Sequence, residues 1–417
     1  MTDYDADLQR IEDDIHAIGC ATRETAAVLS PDVGNAARLF YRNFQYTSLT
    51  GQINLLRQLD ESLDVAISSS SRAADLWLLK AHVALKRHRF ADAEAALRAE
   101  PSLKTFPLAT LLQSDVDLQQ GRYSAAREAI EAVLSIDKTW HALARLAYLT
   151  NLTGDLRSAD EIYAAAEDEL SAKEMQTFAW LEVQRGWMHF QRGHQTQAMV
   201  HYDRANAAYS GYWLVEERIA ELIGAQGSFA EAIAAYQRLY AASPRPEWEH
   251  ALGDLYSLSG DSQQAHDWKR SARLHYLESV ESGETYYFHY LIDLCCELAG
   301  EEREAIEWAR RDLSIRNNFM TQGDLAWALY RSGELTEAGE WVTKALACGA
   351  VSARLYLQAA CIYSVANQAD LGSYYMRLAM ATNPRPARAH MPTQQGQPPR
   401  ITGTVWSPRI TPGQSVA

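Results

Sequence analysis

The amino-acid sequence predicts an all-α solenoid of helix–turn–helix repeats, and three periodic observations carry that reading. A turn residue recurs at His88, Gly121, Gly154, Gly193, Gly227, Gly260, Gly300, Gly333 and Asn367. Successive turns are 33, 33, 39, 34, 33, 40, 33 and 34 residues apart, the period of a stacked helical hairpin. Five residues after each turn stand Ala93, Ala126, Ala159, Ala198, Ala232, Ala265, Ala305, Ala338 and Gly372. Seven residues before each turn stand Ala81, Ser114, Ala147, Gly186, Ala220, Gly253, Asp293, Ala326 and Ala360. Antiparallel helices joined by a tight turn bring backbone against backbone only where both side chains are very small, and glycine supplies the positive φ that ends the first helix. Asp293 departs from the small-residue rule, so the seventh unit is expected to splay or to hydrogen-bond locally there.

In chain order, residues 5–29 carry Leu8, Ile11, Ile15 and Ile18 at three- and four-residue spacing with Glu12, Asp13 and Asp14 between, which predicts an amphipathic helix lying on the first repeat, with a short self-association seam of two heptads as the alternative. Ser30-Pro31-Asp32 ends it and starts the next helix. Residues 36–67 read as a worn repeat, with Gly51 at the turn and Leu56 where alanine belongs, as befits a terminal unit exposed on one side. Ser68-Ser69-Ser70-Ser71 is a polar connector. Residues 1–73 thus form an N-terminal helical cap with a degenerate repeat, and residues 74–383 hold nine units in one elongated domain. The 39-residue step contains Ser171-Ala172-Lys173-Glu174, a capping box that predicts a fresh helix start. The 40-residue step falls in the helix around His266 to Val280, which Ser282-Gly283 should break. Both insertions predict local bends and hence three sub-blocks. Residues 384–417 contain seven prolines, four arginines and no acid, a composition that builds no core and predicts a disordered tail.

The run Leu252-Gly253-x-x-Tyr256 followed by Ala265 resembles the tetratricopeptide repeat. Trp77, Ala81 and Ala93 give the next copy, and Pro244 and Pro384 fall where that family often closes a unit. The resemblance covers residues 74–383 and implies a right-handed superhelix whose concave groove is lined by the first helix of each unit. It also implies that the residue six before each turn points into the groove. That position reads His82, Asp115, Tyr148, Trp187, Glu221, Asp254, Leu294, Trp327 and Cys361. Phe190 and Tyr330 lie one turn away on the same face, with Trp180, Tyr287 and Tyr290 near helix starts. Glu217 shares a helix face with Glu221 at i, i+4. Aromatic rings beside carboxylates suit a protein or peptide partner with apolar anchors and Arg or Lys; packing between stacked helices is the competing use of the same rings. Members of the family that hold a chaperone's acidic tail use Lys, Asn and Arg from these helices. Here the groove positions offer only His82, so that ligand is disfavoured.

Chemistry is sparse. A net charge of −14 and a pI of about 5.4 lack the basic footprint of nucleic-acid binding. No run approaches the roughly 18 apolar residues of a membrane span, and the acidic start Met1-Thr2-Asp3-Tyr4-Asp5 is not a signal region, so a cytoplasmic protein is expected. The five cysteines include no Cys-x-x-Cys, and Cys295 and Cys296 diverge by about 100° on a helix, which points to reduced, packed thiols. Nucleotide, dinucleotide, zinc-protease and serine-hydrolase motifs are absent from the sequence, and no cofactor is expected. His189, His194 and His201 are spaced by five and seven, not the i, i+4 pairing of a helical metal site, and read as surface or groove histidines. Glu217 and Glu221 lack the nucleophile or metal that acid–base work would need. The expected function is a non-catalytic adaptor or scaffold; a helper subunit presenting a substrate to an enzyme, and an enzyme with its site in the superhelix, are the alternatives. In the tail, Pro399-Arg400-Ile401-Thr402 and Pro408-Arg409-Ile410-Thr411 flank Trp406. Setting its four arginines apart from the net −14 leaves −18 on the body. Docking of Arg400, Trp406 and Arg409 into the acidic groove, and a passive or partner-binding tail, both stay open.

Overall fold

A computed structural model describes residues 1–26, 33–69, 73–298 and 300–384, and among these every regular element is helical. The chain divides into two compact units, the first Met1–Ala142 and the second starting at Leu143.

In the first unit, α1 (Asp3–Ala26) packs on α2 (Val33–Thr50), burying Ile11 and Ile18, and α2 packs on α3 (Ile53–Ser69). The Ser30-Pro31-Asp32 boundary lies outside the described residues. Gly51, at φ +66°, ends α2 at the expected turn. Leu56 joins Phe44, Leu59, Leu63, Leu76, Leu79 and Val83 in one core that ties this worn unit to α4 (Ala73–Lys86). The first regular hairpin is α4 with α5 (Phe90–Ala99), and the second is α6 (Pro107–Gln119) with α7 (Tyr123–Leu134). A 3-10 turn, Pro101–Thr105, links them, and Pro107 opens α6 where its missing N–H costs nothing.

The second unit continues with α8 (Trp140–Leu152), which begins at the boundary, and α9 (Leu156–Asp168). Five hairpins follow: α10 (Met175–Gln191) with α11 (Gln195–Ala208), α12 (Trp213–Ala225) with α13 (Phe229–Ala242), α14 (Pro246–Ser259) with α15 (Ser262–Glu281), α16 (Phe288–Glu297) with α17 (Glu302–Ile315), and α18 (Phe319–Ser332) with α19 (Leu335–Ala347). The last is α20 (Ala353–Val365) with α21 (Ala369–Thr382). Nine helix pairs therefore turn at the nine positions read from the sequence. All nine turn residues have positive φ, from +57° at Asn367 to +95° at Gly154. At Gly260 the left-handed residue lets Asp261 N donate to Tyr256 O at 3.0 Å, closing α14.

The small residues do the work expected of them. A Cβ on Gly253 would stand 2.6 Å from Lys269 Cγ, 3.1 Å from Lys269 N and 3.3 Å from Ala265 O. One on Gly186 would enter the Tyr202 ring and come 3.1 Å from Ala198 O. At the last hairpin the roles reverse: a Cβ on Gly372 would meet Ser364 and stand 3.1 Å from Ala360 O.

Two expectations are corrected. Asp293 neither splays its unit nor bonds locally; α16 and α17 pair like the others, and its carboxylate accepts from Arg354 Nη2 of α20 at 2.6 Å. The Ser171–Glu174 segment is a turn and not a helix start. Ser171 spends its N–H and its hydroxyl on Glu174 Oε2, at 2.9 and 2.7 Å, and Glu174 N bonds Ser171 O, so α10 begins only at Met175. The break after α15 falls where expected, with Gly283 at φ +91°. Within the second unit the chain also meets itself. Val351 N donates to Leu152 O at 2.8 Å, Arg192 Nη2 donates to Asn151 O at 2.8 Å, and Asn383 Nδ2 donates to Gln191 O at 3.3 Å.

Candidate functional site

Of the expected groove residues, His82 and Asp115 lie on α4 and α6 of the first unit, and the second unit carries Tyr148 on α8, Trp180, Trp187 and Phe190 on α10, Glu217 and Glu221 on α12, Asp254 on α14, Tyr290 on α16, Trp327 and Tyr330 on α18. Tyr287 is the residue before α16. Their burial divides them. Tyr148, Trp180, Trp187 and Tyr287 are half-buried, whereas Phe190, Glu217, Glu221, Asp254, Tyr290, Trp327 and Tyr330 are buried.

Phe190 and Tyr290 bridge neighbouring helices, while Trp327 and Tyr330 stack within α18. Phe190 packs with Ala198, Tyr202 and Leu222, so it fills the space between α10, α11 and α12. Trp327 stacks on Tyr330 with ring centroids 5.0 Å apart. Tyr290 stacks on Tyr276 of α15 at 5.3 Å, and Tyr287 lies 4.9 Å from the same ring. Tyr287 Oη donates to Glu247 Oε2 at 3.3 Å. Burial, reinforced by Glu247, raises the Tyr287 phenol well above its ordinary range, so it stays a neutral donor.

Glu221, Asp254, Asp293 and Asp324 are answered from within the chain, a feature the sequence reading missed. Arg218 Nη1 donates to Glu221 Oε2 at 2.5 Å, and its guanidinium lies 4.2 Å from the Trp187 ring centre. Lys269 Nζ bridges Asp254 at 3.2 Å and Glu297 at 2.7 Å. Burial opposes the Lys269 charge, but Glu297 and Asp254 outweigh it and hold the ammonium. Arg354 joins Asp293 to Asp324 Oδ1, the latter at 2.9 Å. Burial, with Asp293 and Asp312 nearby, still raises Asp324 above the usual carboxylate range. Arg245 lies over two rings, 3.8 Å from the centre of Trp213 and 4.5 Å from that of Trp248. Arg218 stands three residues before Glu221, a spacing that sequence shows. Lys269 and Arg354 come from other helices, and no local spacing reveals them.

Chemically, the face interleaves aromatic rings with paired charges. Arg400, Trp406 and Arg409 lie outside the described residues. No helix among the described residues is long and apolar enough to cross a membrane.

No family model matches the sequence, and no curated protein does. Solved structures similar to the chain include the APC/C hetero-tetramer Cut9-Hcn1, at 14% identity over 86% of this chain and 75% of that one, with a TM-score of 0.45. A tetratricopeptide repeat protein from Parabacteroides merdae matches at 18% identity over 58% of this chain and 93% of its own, TM-score 0.33. Naa15/Naa10 bound to HypK-THB matches at 13% identity over 88% and 68%, TM-score 0.29. The chain's own geometry carries the fold: nine helix pairs at a period of 33 to 40 residues, with left-handed turn residues and small-residue crossings, are an array of tetratricopeptide type.

Proposed function

We propose that the chain is a non-catalytic adaptor or scaffold that binds a partner protein or peptide along the first-helix face of its second unit. The observation that carries this reading is the run of half-buried rings, Tyr148, Trp180, Trp187 and Tyr287, on helices α8 and α10 and at the start of α16. Rings of this kind, part in the core and part in solvent, present rigid apolar surface at low entropic cost. Because Arg218, Lys269 and Arg354 already occupy Glu221, Asp254 and Asp324, a basic residue of the partner would have to displace them. Apolar anchors therefore dominate recognition, and partner charge adds less than the acidic composition suggests. All helices from α4 to α21 belong to repeat pairs, which supports a binding role over a separate catalytic domain.

The test is affinity capture with the full chain, comparing wild type with the Trp180→Ala/Trp187→Ala double variant. A stoichiometric partner retained by wild type and lost by a variant of unchanged helicity and melting temperature supports the reading. Equal retention by both places recognition elsewhere.

A further inference from the structure

A cluster of histidine and carboxylate side chains brings together residues from three helices. Asp160 of α9, His189 of α10 and His201 of α11 each offer one ligand atom, and these atoms lie within 4.8 Å of one another. His189 Nε2 stands 3.8 Å from Asp160 Oδ1, and the two imidazole rings are 5.3 Å apart between centroids. The spacing of His189 and His201 gave no helical pairing because the turn at Gly193 puts them on different helices, and the third contributor, Asp160, comes from the preceding hairpin.

The surroundings prepare these side chains as ligands. His201 Nδ1 lies 2.8 Å from Oε2 of the fully buried Glu182. An ionised carboxylate only accepts, so Nδ1 carries the proton and Nε2 keeps its lone pair, the carboxylate–histidine arrangement that orients metal-bound imidazoles. Glu182 is fixed in turn by Arg204 Nη1 at 3.0 Å and Arg185 Nη1 at 3.3 Å. Asp160 Oδ1, the oxygen that faces His189, accepts from Arg185 Nε at 2.8 Å. His189 Nδ1 is buried and has no hydrogen-bond partner among the described residues. At the rim the His194 ring stands 5.8 Å from that of His189.

We propose that Asp160, His189 and His201 bind a divalent transition-metal ion of the Zn2+ class, with the rim, where His194 and solvent stand, completing a four-coordinate shell. Imidazole and carboxylate together suit Zn2+ over the all-oxygen cations Mg2+ and Ca2+. Ligands at about 2.0 Å from a tetrahedral ion are roughly 3.3 Å apart, so modest side-chain rotation closes the cluster on it. Arg185 is the competitor for Asp160; its other contacts to Glu167 and Glu182 keep it paired when that bond lengthens. The bound ion would staple two consecutive hairpins across the 39-residue step, where the repeat period is broken.

The experiment is titration of the full chain with Co2+ by visible spectroscopy and with Zn2+ against a chromophoric chelator, with Mg2+ as control. Expected are one equivalent of Zn2+ per chain, a raised melting temperature with Zn2+ and none with Mg2+, and a four-coordinate Co2+ spectrum without thiolate charge transfer. His189→Ala and His201→Ala should abolish uptake, Glu182→Gln, at a positioning residue, should weaken it by about 10- to 100-fold, and His266→Ala, at an exposed histidine on α15, should leave it unchanged. Absence of stoichiometric uptake by the folded wild type overturns the proposal. So does a thiolate band, which would place the ion at Cys295, or unchanged binding by folded His189 and His201 variants. Should those variants fail to fold, Glu182→Gln decides: unchanged Zn2+ affinity in that variant overturns the proposal.

Discussion

Gly253 shows most plainly how single residues set this fold. Its missing Cβ is the space through which α15 crosses α14 at Lys269 and Ala265, so Gly253→Ala should lower stability by about 1–3 kcal/mol through overpacking, and Ala305→Leu by a similar amount at a fully buried crossing. Chemical denaturation midpoints check both. Trp327 is 7% exposed and stacked on Tyr330, so Trp327→Ala should cost about 3–5 kcal/mol of stability, where the sequence alone treated it as a binding residue. A variant that keeps its midpoint would restore that role. Asp324 supplies a pH dependence. Its carboxyl is held above the ordinary range, mainly by burial, so the folded state binds its proton more tightly than the unfolded chain does. That contribution is full below the unfolded value and is lost as pH rises from there through the raised folded value. Asp324→Asn should therefore gain on wild type between about pH 5 and pH 8; urea midpoints at the two pH values test it, and a constant difference refutes it. Turns and crossings were legible in the sequence because they recur with a fixed period. The partners of Asp254 and Asp293 were less so, because Lys269 and Arg354 reach them from other helices and follow no period.

At the scale of the element, first and second helices divide their tasks. The second helices supply alanines such as Ala198 and Ala265 to the crossings, while first helices such as α10 carry half-buried rings. Trp187→Ala should leave far-ultraviolet helicity intact and weaken partner binding by about 2 kcal/mol, read by titration calorimetry; the ring also carries Arg218, so loss of helicity would mark it as structural. The start of α10 shows the limit of local motifs. Ser171 and Glu174 have the composition of a capping box, but the serine hydroxyl donates to Glu174 instead of accepting from a backbone N–H, and the helix begins later. The break after α15 was legible because Gly283 requires a left-handed φ whatever its neighbours do.

Across the whole molecule, the sequence showed nine units but not that the second unit meets itself. The bonds from Val351 to Leu152 and from Arg192 to Asn151 join residues far apart in the chain, and hydrogen bonds of that kind leave no repeat signal. The acidic balance was legible as a number, −14, but its meaning depended on which carboxylates the chain itself pairs. Hydrogen exchange of the full chain, free and saturated with the partner recovered by affinity capture, tests the binding face most directly. Slowed exchange concentrated on α8, α10, α12 and α14 and on the Tyr287 turn, with α11, α13 and α15 unchanged, is the expected result; protection confined to those second helices would contradict the proposed face.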